Sequence, residues 1–107
     1  MITDEKNFRP SLITKGRRTG KEHKVMLRAV NYNEKIYFSR HKPDSDWFKN
    51  VIVNPEIKME YKNQIFPGIA KVVTDEKLNE KISEMKYPGE KRAKEKRVTI
   101  EVTLDLR

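Results

Sequence analysis

The chain of 107 residues contains no cysteine. A disulfide framework, a thiolate nucleophile and a cysteine-ligated zinc or iron–sulfur site are therefore excluded. Histidine is almost as scarce. His23 and His41 are the only two, and neither has a carboxylate at the spacing of a zinc site or a partner for a nucleophilic triad. We interpret both as surface residues and predict no metal site, so any enzymatic chemistry must come from a bound cofactor.

Long apolar stretches and glycine-rich motifs are also missing. No apolar run approaches the roughly 20 residues that cross a bilayer, and the N-terminal sequence MITDEKNF lacks the apolar region of a signal peptide. The chain has only 4 glycines, and neither a Walker-type nor a Rossmann fingerprint is present. We therefore expect one cytoplasmic domain over residues 1–107, a length near the usual size of a single domain.

Positive charge is abundant and unevenly distributed. The formal net charge is +8 and the pI is about 9.7. Residues 1–42 hold 11 Lys and Arg against 4 Asp and Glu, whereas residues 43–107 hold 13 against 12. A solvated surface interleaves its charges, as the second segment does, so the excess in the first segment predicts an anionic partner. A phosphate-bearing cofactor and a nucleic acid both meet this requirement.

The first forty residues have the pattern of three strands joined by turns. A short apolar strand over residues 10–14 precedes the glycine-bracketed turn Gly16–Gly20, and residues 22–30 then alternate apolar and polar side chains. Residues 31–34 supply the next turn. Residues 35–40 carry consecutive β-branched and aromatic side chains, which predicts the third strand.

A short helix is predicted after this strand. Asp44 or Ser45 serves as its N-cap, and Asn54-Pro55 ends it, because the residue before a proline is disfavoured in the α region. Four apolar residues are expected to share its buried face, namely Trp47, Phe48, Val51 and Ile52.

A second hairpin, a second helix and a final strand follow. Residues 56–74 alternate around Lys62-Asn63, with a bulge or edge position expected at Pro67-Gly68. An amphipathic helix ends at Tyr87-Pro88-Gly89, and residues 98–106 alternate without a fault. The predicted fold class is mainly β with two short helices, in which about six mostly antiparallel strands form a small barrel.

The segment at residues 12–20 resembles a motif of a known family. It reads LITKGRRTG, similar to the opening motif L-x-T-x-G-R-x-[ST]-G of the deazaflavin-dependent nitroreductase family. Tyr37-Phe38-Ser39, the sequence WFKN at 47–50 and Asn54-Pro55 follow in the family's order. The similarity covers residues 12–66 well and the rest more loosely. That family belongs to the FMN-binding, pyridoxamine phosphate oxidase-like superfamily, so the resemblance implies a split β-barrel.

The resemblance also implies a cofactor site, for FMN or a deazaflavin coenzyme of the F-420 type. In this family the first turn and the loop after the third strand hold the cofactor phosphate. The residue types agree, since arginine forks bind phosphate oxygens at two points and hydroxyl groups donate to the remaining oxygens. The implied cofactor-binding residues are Arg17, Arg18, Thr19, Gly20, Ser39, Arg40, Lys42 and Asn50. We interpret Trp47, in the same W-x-x-N helix as Asn50, as a core residue.

The sequence departs from the family pattern after Tyr87-Pro88. The family tends to place aromatic residues there, near the reacting face of the cofactor, whereas residues 90–97 are here a nearly pure charge run. We interpret this run as a solvated loop. The departure is compatible with cofactor binding, but it argues against the substrate pocket expected of a nitroreductase.

Three functions are compatible with the sequence. The first is an oxidoreductase that moves a hydride between a flavin or deazaflavin and a small-molecule acceptor. The second is a basic barrel that binds nucleic acid, with Tyr32, Tyr37, Phe38 and Trp47 available for stacking on bases. The third is a protein that stores or senses the cofactor without catalysis.

A homodimer is also expected. A barrel this small leaves an open seam and edge strands that need cover, and split barrels usually complete the cofactor pocket with a second subunit. The predicted strands at 22–30 and 98–106 are expected to contribute the interface.

Overall fold

Eight β-strands and two α-helices form the part of the chain that the computed structural model describes, which is residues 3–40, 45–91 and 97–105. The strands are β1 (Asn7–Phe8), β2 (Ser11–Lys15), β3 (Glu22–Met26), β4 (Ala29–Tyr32), β5 (Lys35–Arg40), β6 (Glu56–Tyr61), β7 (Gln64–Val72) and β8 (Val98–Leu104). The helices are α1 (Asp46–Val53) and α2 (Glu76–Lys86). The strands form one antiparallel sheet in the order β1-β4-β5-β8-β7-β6-β2-β3.

The sheet curls because its first four strands are two long strands, each bent in the middle. The pairs Asn7↔Val30 and Lys15↔Glu22 belong to one continuous register, so β1 with β2 runs antiparallel to β3 with β4. β2 also pairs with β6, and β4 also pairs with β5. Because β1 continues into β2 and β3 continues into β4, these pairings connect the two ends of the strand order. Counted this way, six long strands form a split barrel. The predicted fold class is confirmed.

The predicted single strand over residues 22–30 is wrong in one respect, because it is divided into β3 and β4. The break lies at residues 27–28, opposite Arg9-Pro10 in the shared register. Pro10 has no N–H to donate, so only the bond from the Leu27 N–H to the Pro10 carbonyl, at 3.2 Å, bridges the gap. The ladder is interrupted there, and both long strands bend at the same level.

The hairpins formed by β4 with β5 and by β6 with β7 have tight two-residue turns. Asn33 and Glu34 have φ values of 53° and 65°, and Lys62 and Asn63 have 51° and 63°. Positive φ at both central residues is the signature of a type I′ turn, whose twist matches that of the flanking strands. The second hairpin is confirmed. The predicted turn at 31–34 is two residues shorter, since β4 continues to Tyr32.

Pro67-Gly68 lies within β7 without the predicted bulge, because β6 and β7 pair in an unbroken register past Lys58↔Pro67. The predicted edge position is wrong too, because β7 lies between β6 and β8, Gly68 pairs with both strands, and the Pro67 carbonyl accepts from the N–H of Asp105 at 2.8 Å. Gly68 is required here for space. A Cβ at this position would lie 2.8 Å from the Thr103 carbonyl oxygen, closer than side chains and backbone normally approach.

The first helix follows its prediction except at Ile52, which is 57% exposed. Ser45 is the N-cap and Asn54 the C-cap, whereas Asp44 lies outside the described residues. Each residue turns a helix by about 100°, which puts Ile52 about 140° from Trp47 and beyond the buried arc. Asn50 occupies the other flank of that arc and is 4% exposed. The buried face of α1 therefore includes a polar side chain.

The second helix covers the outer side of the sheet at β4 and β5. Asp75 caps it by accepting hydrogen bonds from the N–H groups of Lys77 (2.9 Å) and Leu78 (3.3 Å). Ile82 is fully buried against Val30 and Tyr37 in a cluster separate from the barrel interior. No helix in the described ranges is long and apolar enough to span a membrane.

Burial beneath this helix keeps the phenol of Tyr37 protonated. Desolvation raises the pKa of its phenol well above the ordinary value, and the hydrogen bond to Glu101 at 2.9 Å adds to the increase. Tyr37 therefore stays protonated and donates to the Glu101 carboxylate.

Candidate functional site

A cavity of about 710 Å³ lies between the Gly16–Gly20 turn, β3, the end of β5 and the start of α1. Its volume is within the range of about 300–1,000 Å³ that is usual for small-molecule sites. The turn contributes Gly16, Arg17, Arg18 and Thr19, the strands contribute Thr14, His23, Val25, Leu27 and Arg40, and the helix region contributes Ser45, Asp46, Trp47 and Asn50.

The turn is folded tightly around its two glycines. Gly20 has a φ of +72° and its N–H donates to the Gly16 carbonyl at 2.9 Å. A Cβ at Gly16 would lie 2.9 Å from Nε2 of His23, so a side chain there would push that ring away. No hydrogen bond within the described chain uses the N–H groups of Arg18 or Thr19. Two backbone donors of the turn are thus left for a ligand.

Asn50 holds the turn against α1. Its Oδ1 accepts from the backbone N–H of Arg17 at 3.2 Å and from Nη1 of the same arginine at 2.8 Å. Its Nδ2 donates to Oγ1 of the buried Thr14 at 3.3 Å. The Arg17 guanidinium also lies 3.5 Å from Asp46, whose side chain is 89% exposed, so this ion pair adds little. Asn50 therefore positions Arg17 before any ligand binds.

Two buried donors on the cavity wall have no acceptor among the described residues. They are Nε of Arg40 and the indole Nε1 of Trp47. Buried polar groups normally have a partner, and both of these atoms are shielded from the open space of the cavity. Val25 and Leu27 are half-buried and give the same cavity an apolar wall.

Five of the eight predicted cofactor-binding residues line this cavity: Arg17, Arg18, Thr19, Arg40 and Asn50. Gly20 shapes the turn without lining the cavity. Ser39 does not line it, because successive side chains of β5 point to opposite faces and Arg40 takes the inward position. Ser39 instead accepts from Nζ of Lys86 and Nε of Arg97. Lys42 lies outside the described residues.

The sequence analysis missed the cavity-lining residues of β3. His23 is exposed, as expected, and it also lies at the cavity together with Val25 and with Leu27, which directly follows β3. Their two-residue spacing is the signal that places them on one face of a strand. Trp47 was interpreted as core. It is 7% exposed and packs edge-on against Phe48, but it also lines the cavity.

Comparisons with known proteins connect this geometry to a family. Among solved structures, a conserved hypothetical protein from Mycobacterium tuberculosis is 18% identical with a TM-score of 0.72, covering 90% of this chain and 72% of its own. An F420-H2 dependent reductase is 20% identical with a TM-score of 0.69, covering 91% and 93%. A putative pyridoxamine 5'-phosphate oxidase from Listeria innocua is 17% identical with a TM-score of 0.70, covering 91% and 83%. At such identities these similarities establish the fold alone.

The sequence family is established by a separate comparison. No curated protein matches the chain. The family model described as F420H(2)-dependent quinone reductase matches residues 9–105, which is nearly the whole chain. The match agrees with the predicted resemblance to a deazaflavin-dependent family, and the similar structures agree with the predicted split-barrel fold. The chain therefore belongs to the F420H(2)-dependent quinone reductase family and is a deazaflavin-dependent oxidoreductase.

Proposed function

We propose that the cavity binds the reduced deazaflavin coenzyme F-420 and that the protein reduces a quinone-type acceptor. The observation that carries this proposal is the convergence of Arg17, Arg18 and the two available N–H groups of the turn on one cavity. Guanidinium forks and adjacent backbone N–H groups are the donors that suit a phosphate. FMN carries a phosphate as well, but the family match favours the deazaflavin.

The cavity residues have separate tasks in this proposal. Arg17 and Arg18 would hold the phosphate, while Val25 and Leu27 would hold the flat ring system against apolar surface. Arg40 and Trp47 would complete the wall around the ligand. The coenzyme supplies the hydride when bound, and the protein supplies position, exclusion of water and a fixed electrostatic environment.

Direct binding is the first test. We expect the purified protein to bind coenzyme F-420 more tightly than FMN and more tightly than a short single-stranded oligonucleotide, as measured by fluorescence titration. Raising salt from 50 to 200 mM should weaken coenzyme binding only modestly, because few charges are involved. An oligonucleotide held by 6–10 phosphate contacts would lose about 10³–10⁵ in affinity over the same range. Tight oligonucleotide binding with that steep salt dependence, and no coenzyme binding, would overturn the proposal.

Burial of the aromatic residues argues against the nucleic-acid alternative. Phe38 is 0% exposed, Tyr37 3% and Trp47 7%. Of the four aromatic side chains considered for stacking, only Tyr32 is partly exposed. Stacking on bases requires accessible ring faces, which these three residues do not offer.

We also propose that the protein is a homodimer. Ile69 and Ile65 are 56% and 57% exposed on the outer face of β7. Ile69 lies in a groove of about 600 Å³ that also includes Ile13, Pro67 and Thr103. Apolar area of this kind is typical of surfaces that another protein covers. Of the strands predicted to form the interface, β3 is an edge strand, whereas β8 lies between β5 and β7 and has no free edge. β8 can therefore contribute to an interface only through side chains such as Thr103. One similar structure is described as a domain-swapped dimer.

The dimer is tested by one pair of matched variants. We expect light scattering to give a dimer mass for the wild type and for Ile52→Asp, and a monomer mass for Ile69→Asp. The two isoleucines are equally exposed, at 57% and 56%, so a general effect of a new charge would appear in both. A wild-type protein that is monomeric at micromolar concentration would contradict the proposal.

A further inference from the structure

A histidine side chain faces the coenzyme cavity from an edge strand of the sheet. His23 lies in β3, where successive side chains point to opposite faces. On the outer face, the Glu22 carboxylate accepts from Nζ of Lys58 at 2.8 Å. Lys24, on the same face, donates to Glu60 at 2.7 Å. His23 lies between these two residues in the strand, so its side chain points the other way and lines the cavity.

The ring of His23 packs against the base of the Gly16–Gly20 turn. A Cβ on Gly16 would lie 2.9 Å from Nε2 of His23 and 3.1 Å from Oγ1 of Thr19. Because Gly16 has no side chain, both polar atoms can approach the backbone of the turn closely. The imidazole therefore borders the same turn whose arginines are proposed to hold the phosphate.

The imidazole has no fixed partner among the described residues. None of the hydrogen bonds or ion pairs formed within residues 3–40, 45–91 and 97–105 uses a ring nitrogen of His23. The side chain is exposed, so the core does not depend on it. A neutral imidazole offers one N–H donor, whereas the imidazolium offers two donors and a positive charge. Both ring nitrogens are therefore available to an anion in the cavity.

The charged groups that share the cavity with His23 are mostly cations. They are Arg17 and Arg18 of the turn and Arg40 at the end of β5, with Asp46 as the one carboxylate among the described residues of the wall. Arginine stays protonated in proteins, and Asp46 lies 3.5 Å from the Arg17 guanidinium. Histidine is the side chain that ordinarily changes charge between pH 5 and 8. His23 therefore gives this wall a positive charge that depends on pH.

We propose that His23 is a coenzyme-binding residue that donates, as an imidazolium, to an anionic oxygen of the coenzyme beside the turn. This inference rests on the proposed function and adds a pH-dependent contact to its site. A phosphate next to the ring favours the charged form of the imidazole, so protonation of His23 and binding of the coenzyme should strengthen each other. Affinity is then highest at the acidic end of the histidine range and falls as the pH rises through it.

The test measures binding of coenzyme F-420 by calorimetry at about pH 5.5 and about pH 8, at constant ionic strength, on either side of the histidine range. The wild type should bind about three- to tenfold more weakly at the higher pH, because a charge-assisted hydrogen bond is lost at a site where solvent weakens it. His23→Gln should lose most of this difference. His23→Arg should bind tightly at both values, because its charge does not titrate. Ionisation of the coenzyme is common to all three proteins and cancels in the comparison.

Two comparisons decide between His23 and other sources of pH dependence. Equal dependence in the wild type and in His23→Gln would overturn the proposal. The same holds if the dependence is lost in His41→Gln and kept in His23→Gln, which would assign it to the other histidine of the chain. Thermal unfolding of His23→Gln should match that of the wild type, since the ring makes no hydrogen bond within the described ranges.

A measurement without coenzyme separates failure of this inference from failure of the proposed function. The chain has two histidines, so proton NMR gives two ring titration curves, and His23→Gln assigns one of them. Sulfate is the probe, because its charge is constant over this range. Compared with sodium chloride at equal ionic strength, sulfate should move the titration midpoint of His23 to higher pH. That shift without any binding of coenzyme F-420 would refute the proposed function and support His23 as an anion contact, whereas an unchanged midpoint would overturn the inference.

Discussion

Replacing Arg17 and Arg18 together with alanine should weaken binding of the deazaflavin coenzyme by about a hundredfold or more. Each hydrogen bond between charged partners contributes about 1.5–3 kcal/mol, and about 1.4 kcal/mol corresponds to a factor of ten. Both residues line the cavity, and the Arg17 guanidinium is already oriented by Asn50. Fluorescence titration of the coenzyme against wild type and double variant measures the effect.

A control with the same change in net charge distinguishes specific contacts from general attraction. Lys77 and Lys81 are exposed on α2, and neither lines the cavity. The double variant Lys77→Ala with Lys81→Ala should bind the coenzyme within a factor of about three of the wild type, since exposed charges beyond a Debye length of about 8–10 Å are largely screened. If the Arg17 and Arg18 double variant binds as well as this control, the turn is not part of the coenzyme site.

The two arginines should contribute unequally. Arg18 is exposed and Arg17 is half-buried, with bonds to Asn50 and a weak ion pair to Asp46. Loss of Arg18 alone removes a ligand contact at little cost to folding. Loss of the Arg17 side chain alone also leaves Oδ1 of Asn50 with one donor fewer, since only the backbone N–H of residue 17 remains, so it should lower thermal stability as well as affinity.

The strands were predictable where a local pattern specifies them. Residues 98–104 alternate with the two-residue period of a strand, and residues 35–40 carry consecutive β-branched and aromatic side chains; they lie in the centre of the sheet as β8 and β5. The division of residues 22–30 was not predictable in this way. Its cause is Pro10, which lies opposite the break on a different strand and is known only once the register is known.

The site was predictable where one local motif builds it. The turn at residues 16–20 carries its arginines, threonine and glycines in a contiguous segment, and the structure places three of those side chains in one cavity. Ser39 illustrates the limit. The sequence locates it at the end of a strand, but pairing with β8 decides which face its side chain takes, and that face is the one covered by α2.

We expect both stability and coenzyme binding to depend on Asn50. Replacement by leucine keeps a similar volume but removes the acceptor for the N–H and guanidinium of Arg17 and the donor to Thr14. Thr14 is 1% exposed, so water cannot readily take over that bond. Each buried polar group left without a partner costs about 1–3 kcal/mol, so we expect the free energy of unfolding to fall by about 2–4 kcal/mol in urea titrations.

Asn50→Asp separates the two roles of this residue. A carboxylate still accepts from both donors of Arg17, and the Thr14 hydroxyl can donate to it, so the loss of stability should be much smaller than in Asn50→Leu. In the wild type, Oδ1 of Asn50 lies 2.8 Å from Nη1 of Arg17, so the new negative charge would lie equally close to the guanidinium. It would therefore compete with the phosphate of the coenzyme. We therefore expect coenzyme affinity to fall at least tenfold in Asn50→Asp, which is about 1.4 kcal/mol, while thermal stability is largely retained.

Asn79 of α2 is the matched control, because it is half-buried, bonds to the Val73 carbonyl and does not line the cavity. Asn79→Asp should leave affinity unchanged. Wild-type affinity in a folded Asn50→Asp protein would mean that no anion binds beside Arg17, and the phosphate would have to be placed elsewhere in the cavity.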